Sequence, residues 1–79
     1  MSIIPRQCRA GRALVGLTRV QLAKAARVNP HTIGNFENGD SVPIRATLDA
    51  IQRALEEAGV EFTNGEAPGV RWRGPADQA

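Results

Sequence analysis

Apolar positions recur at intervals of three and four through most of the chain and switch to intervals of two near its end. Ile4, Cys8, Gly11 and Val15, with Leu14 as the alternative last member, make a narrow stripe on a first helix from Pro5 to Val15. Pro5 suits a first helical turn, where a missing N–H is no loss, and Gly16 supplies the stop. A glycine inside the stripe lowers helix propensity, so Gly11 predicts the close approach of another helix backbone. Arg19 to Ala26 forms a short second helix, introduced by Thr18 with Gln21 three residues on as a capping box, and offers Val20, Leu22, Ala23 and Ala26 for burial. Arg27 and Val28 make the next turn, Arg27 standing where a left-handed conformation would favour glycine. Asn29 can cap a third helix with Pro30 in its first turn and Thr32 close behind; Gly39 ends it after Glu37 or Asn38. The fourth and clearest helix lies in IRATLDAIQRALEEAG. It places Ala46 or Thr47, Leu48, Ile51, Ala54, Leu55 and Ala58 on one face and stops at Gly59.

Beyond Gly59 the period becomes two. Val60 and Phe62, then Val70 and Trp72, alternate with Glu61, Arg71 and Arg73 on either side of a Gly/Pro/Asn-rich loop. That is the signature of a β-hairpin, with Pro68 excluding a tight turn at Asn64–Gly65 in favour of a longer loop. An isolated hairpin is marginal in water, so its apolar face must be covered and its edges satisfied. Packing on the fourth helix would cover the face, and a second chain could satisfy an edge through Val60, Phe62, Val70 and Trp72. The expected organisation is therefore a helical unit over residues 1–59, a hairpin over 60–73 serving dimerisation, and a flexible end over 74–79.

Composition narrows the class. At 79 residues the chain can hold one domain, and a core so small favours oligomerisation. One cysteine excludes an internal disulfide, and one histidine leaves no plausible zinc set, so Cys8 reads as a reduced, buried thiol. The stretch MSIIPRQCRAGRALVG carries arginines throughout and no long apolar run, which fits neither a signal peptide nor a membrane span and predicts a cytoplasmic protein. The net charge of +2 conceals an asymmetry: residues 1–45 hold seven Lys/Arg against two Asp/Glu, and residues 46–79 hold three against six. A basic front half suits a polyanionic partner, though a merely solvated surface would look the same.

Two short capped helices joined by a tight turn, the second fronted by NPHT, form a helix-turn-helix. Its use is geometric, because a major groove admits one helix that is short, pinned by its neighbour and free of bulky apolar groups outside. His31 and Asn35 lie one turn apart on one face, and Gly34 between them leaves room for close approach. Asn can pair bidentately with adenine, His can donate to guanine or phosphate, and the helix N-terminus near Asn29 favours a phosphate. Arg19, Arg45 and Arg6 are phosphate candidates.

With these residues in view, GLTRVQLAKAARVNPHTIGNFENGDSVP…TLDAIQRAL resembles the Cro and lambda-repressor type of helix-turn-helix regulators, without gaps from Gly16 to Gly39 and onward to about Leu55. The agreement lies in Leu17, Leu22, Ala23, Val28, Ile33 and Phe36 together with the ENG ending. The resemblance implies a mainly α, four-helix lambda-repressor-like DNA-binding domain, here followed by a C-terminal β-hairpin in place of the family's extra helix. It implies DNA contacts from Arg19, where the family usually has Gln, from Asn29 and from Pro30, His31, Gly34 and Asn35, with Thr32 beside the phosphates. It also implies an ion pair between Arg12 and Glu37. Asp40 stands where a basic residue often touches phosphate.

These expectations describe a sequence-specific transcriptional regulator, a repressor that binds a palindromic operator in double-stranded DNA as a homodimer in the cytoplasm, associated with the nucleoid. No cofactor, metal or small-molecule ligand is implied, and no acid/base pair or nucleophile set suggests an enzyme. The rival reading is an interaction module, antiactivator or antitoxin-like, that binds a partner protein with weak or no DNA binding.

Overall fold

A computed structural model describes residues 2–63 and 65–74. Four helices, α1 (Pro5–Val15), α2 (Arg19–Ala26), α3 (Pro30–Glu37) and α4 (Arg45–Glu57), precede two antiparallel strands, β1 (Val60–Thr63) and β2 (Gly69–Trp72). The fold is mainly α, with the helix-turn-helix at its centre and a hairpin at its end. The part of the tail expected to be flexible that spans residues 75–79 lies outside the described residues.

Local chemistry explains each boundary. α1 and α2 both end in a six-residue Schellman turn: Leu17 N donates to Arg12 O at 3.0 Å, and Val28 N to Ala23 O at 2.9 Å. The left-handed position is Gly16 in the first (φ 72) and Arg27 in the second (φ 59). Arg27 thus carries the strain its identity suggests, roughly 1–2 kcal/mol. Thr18 Oγ1 accepts from Gln21 N at 3.0 Å and Gln21 Oε1 from Thr18 N at 2.9 Å, the reciprocal capping box of α2. Asn29 Oδ1 accepts from His31 N at 2.8 Å and starts α3.

The core joins all four helices to the first strand: Ile3, Cys8, Leu22, Ala23, Ala26, Ile33, Phe36, Leu48, Ile51, Ala54, Leu55 and Val60 are buried. Three expectations about it need correction. Ile3 is buried and Ile4 is not, because Ile4 is the residue that turns into α1, outside its helical periodicity. Val20 is 62% exposed: it lies two residues, about 200°, around the helix from the fully buried Leu22. No helix backbone approaches Gly11; a Cβ there would meet Leu55 and Val60 side chains at 3.5 Å, an ordinary contact.

The hairpin pairs Val60 with Trp72, Phe62 with Val70 and Thr63 with Gly69, leaving the long loop that Pro68 requires. It rests chiefly on α1, and β1 also packs on α4, the helix expected to cover it. Gln7, buried on α1, does much of the joining. Its Oε1 accepts from Ile4 N, and its Nε2 donates to Thr63 O and Gly69 O, each at 3.0 Å. One amide thus caps a helix and satisfies two strand carbonyls. Gly59 (φ 111) makes the corner between α4 and β1, where a Cβ would overlap the Gly74 carbonyl.

Candidate nucleic-acid interface

α2 and α3 meet in an open cleft of about 330 Å³ lined by Arg19, Val20, Pro30, His31, Gly34, Asn35 and Asn38. Each helix contributes through its local start: the capping box sets Arg19 and Val20 on the first turn of α2, and Asn29 with Pro30 sets His31 on the first turn of α3. His31, Asn35 and Asn38 follow at helical spacing, so one face of α3 presents an imidazole and two carboxamides. His31 and Asn35 are both exposed. Four of the expected base-contacting residues, Pro30, His31, Gly34 and Asn35, therefore share one surface with Arg19.

The inner side of α3 ends on Glu37, whose side chain is wholly buried and fully engaged. Arg12 meets it bidentately, Nε to Oε2 and Nη2 to Oε1, both at 2.7 Å. Arg19 Nε donates to Oε1 at 3.0 Å, and Cys8 Sγ to Oε2 at 3.1 Å. Arg12 Nη1 also holds Leu17 O at 3.0 Å, and Arg9 Nη2 holds the Glu37 backbone carbonyl at 3.1 Å. One carboxylate thereby fixes α1, the turn after it, α2 and α3 relative to one another. Burial pushes the Glu37 carboxyl up, but the hydrogen bonds from Arg12, Cys8 and Arg19 outweigh it and bring it down to about 2. Burial and then the bond to Glu37 push the Cys8 thiol far up, so it stays a protonated donor. Arg12 is raised, chiefly by its bond to Glu37.

Arg19 belongs to both sides. Its Nε is on Glu37, its Nη2 donates to Asn38 Oδ1 at 3.2 Å, and its Nη1 would lie 3.6 Å from a Cβ at Gly34. The side chain therefore crosses α3 over the glycine, and the outer edge of its guanidinium faces the cleft. Arg19 is legible in the sequence as a phosphate candidate, but its tie to Glu37, 18 residues away, comes only with the fold. Val20 and Asn38 join the cleft beyond the expected set; Asn38 is legible from its spacing, three and seven residues beyond Asn35 and His31.

The other candidate residues are dispersed. Asn29 spends its carboxamide oxygen on the α3 cap, while Thr32 N donates to Asn29 O at 3.0 Å. Arg45 is exposed on the first turn of α4 with a loose ion pair to Asp49 at 3.8 Å. Arg6 lines a separate groove with Ile4, Gln7, Ala10, Pro68, Gly69 and Val70, between α1 and the hairpin. Of the four residues expected at a dimer contact, Val60 is fully buried in its own chain, and Phe62 and Val70 pack partly on the core. Trp72 is 55% exposed. Among the described residues there is no group of His, Cys, Asp or Glu able to hold a metal ion, and no helix long and apolar enough to cross a membrane.

The family model of the helix-turn-helix domain matches residues 6–63, most of the chain and every element that builds the cleft. The chain belongs to that helix-turn-helix family. No curated protein matches it. At this level it is a DNA-binding regulator of the helix-turn-helix class.

Proposed function

We propose that the protein is a sequence-specific transcriptional repressor that acts in the cytoplasm on nucleoid DNA, laying α3 in the major groove. The observation that carries this reading is the cleft itself. An imidazole, two carboxamides and the outer edge of a guanidinium stand on one exposed surface, with Gly34 keeping the centre low. Asn35 pairs with adenine and His31 donates to a guanine or a phosphate, while Pro30 and Gly34 bring the helix close. Asn29, Thr32 and Arg45 approach the phosphates. Arg19 reaches DNA through the guanidinium edge not engaged by Glu37 and Asn38. A homodimer would set two such helices about 34 Å apart on a palindromic operator, joined through the hairpin's open edge and the exposed Trp72. Repression follows from excluding polymerase from the occupied promoter.

The test is retardation and footprinting of duplexes selected from a random pool by the full chain. The expected result is a symmetric footprint whose affinity falls steeply with salt. Asn35→Ala should weaken the selected site by ~1–3 kcal/mol and leave random DNA unaffected. Equal losses on both DNAs would remove Asn35 from the reading role. One observation favours the rival reading as a protein-binding module: Glu37 already neutralises part of the Arg19 charge, which lowers the cleft's pull on a polyanion. Absence of salt-dependent retardation would decide for it.

A further inference from the structure

Val20 is 62% exposed on a helix whose other large apolar side chain, Leu22, is fully buried. Nothing local asks for valine there: a β-branched residue on an open helical face has poorer helix propensity than alanine or lysine and loses side-chain freedom. A scattered exposed valine would need no explanation, but this one lines the cleft beside Pro30, Asn35 and Arg19. The cleft thus sets an isopropyl group and a pyrrolidine ring next to a carboxamide and a guanidinium edge. An A·T pair offers the complementary set on one groove floor, adenine's N6 and N7 for a carboxamide and thymine's 5-methyl for an apolar group.

We infer that Val20, backed by Pro30, packs on the 5-methyl group of a thymine, so that the cleft selects a half-site in which Asn35 takes an adenine and Val20 a neighbouring thymine. This rests on the DNA-reading function proposed above and adds a specificity determinant on α2, outside the reading helix.

The probe is a duplex selected from a random pool by the full chain, with each dT of one half-site replaced in turn by dU, which removes only the methyl group. At one position the wild-type protein should lose about fourfold in affinity, the worth of one buried methyl. Val20→Ala should bind the dT duplex about fourfold more weakly and show no further loss with dU at that position. Because Val20 is exposed, the variant keeps its helical circular dichroism. A specific complex indifferent to every dU, or a methyl dependence undiminished in Val20→Ala, would overturn this inference and leave the DNA-reading function standing. Failure to select any sequence, or retardation that ignores salt, would overturn that function and the inference with it.

Discussion

α3 is eight residues long, and its two sides behave as if drawn from different proteins. Inward, Ile33 and Phe36 are in the core, and the buried Glu37 carboxylate meets two guanidinium groups and a thiol. Outward, His31 and Asn35 stand in solvent on either side of Gly34. Each side nonetheless carries polar groups, so polarity alone does not separate Glu37 from His31 and Asn35. What separates them is whether the chain has already supplied partners. Glu37 is saturated, so its chemistry is spent on fixing the angle between helices; the groups of the outer side are presented by that fixed frame.

The difference can be broken most violently at Glu37. Replacing it with alanine leaves the largely buried Arg12 without its anion, and breaking a buried pair in this way destabilises by ~3–5 kcal/mol. In a domain this small that consumes most of the stability, so Glu37→Ala should be largely unfolded by circular dichroism and urea titration. The same carboxylate makes the fold acid-sensitive. Its folded value of about 2 lies below the ordinary 4.5, so the unfolded chain takes up the proton first. The stabilisation is complete above about pH 4.5 and drains away as pH falls toward 2, up to ~3 kcal/mol in all. Urea midpoints at pH 5 and pH 3 measure it, and Glu37→Gln should flatten the difference.

On the outer side the same measurements should barely move. Asn35→Ala should shift stability by no more than ~0.5 kcal/mol while costing DNA affinity, since the side chain is exposed. A marked loss of stability there would erase the contrast between the two sides. Gly34→Ala gives a small effect of opposite sign, and the most diagnostic one. Its Cβ would make only an ordinary contact with Arg19 at 3.6 Å, so the helix should gain up to ~1 kcal/mol. If the glycine clears the way for DNA, the stabilised variant binds more weakly; unchanged affinity would remove Gly34 from the docking surface.

The helices were readable because their signals are local. Thr18 with Gln21, Asn29 with Pro30, and Gly16 and Gly59 each act within one turn of where they stand, and the bounds Pro5–Val15, Arg19–Ala26 and Pro30–Glu37 follow from them. The outer residues of α3 were readable for a similar reason: spacing along eight residues decides who shares a face. The misreadings concern neighbours that are distant in sequence. Gln7 carries no local signal of its role, because the hairpin carbonyls it bonds lie 56 and 62 positions later. Val20 looked like core because it stands three residues before the buried Ala23, a helical spacing, even though it lies about 200° from Leu22.

By itself, then, the sequence determined where each helix starts and stops, that the end of the chain pairs as a hairpin, and which side chains α3 can offer on one face. Caps, turns and periodicity act over a few residues, so they need no knowledge of the rest of the chain. Tertiary structure alone decided that Arg19 is divided between Glu37 and the cleft, that Gln7 ties α1 to the hairpin, and that Val20 joins the outer surface. Those outcomes depend on the angles at which whole helices dock, and angles are set by the summed packing of Leu22, Ile33, Phe36, Ile51 and Leu55. No short stretch of residues contains that sum.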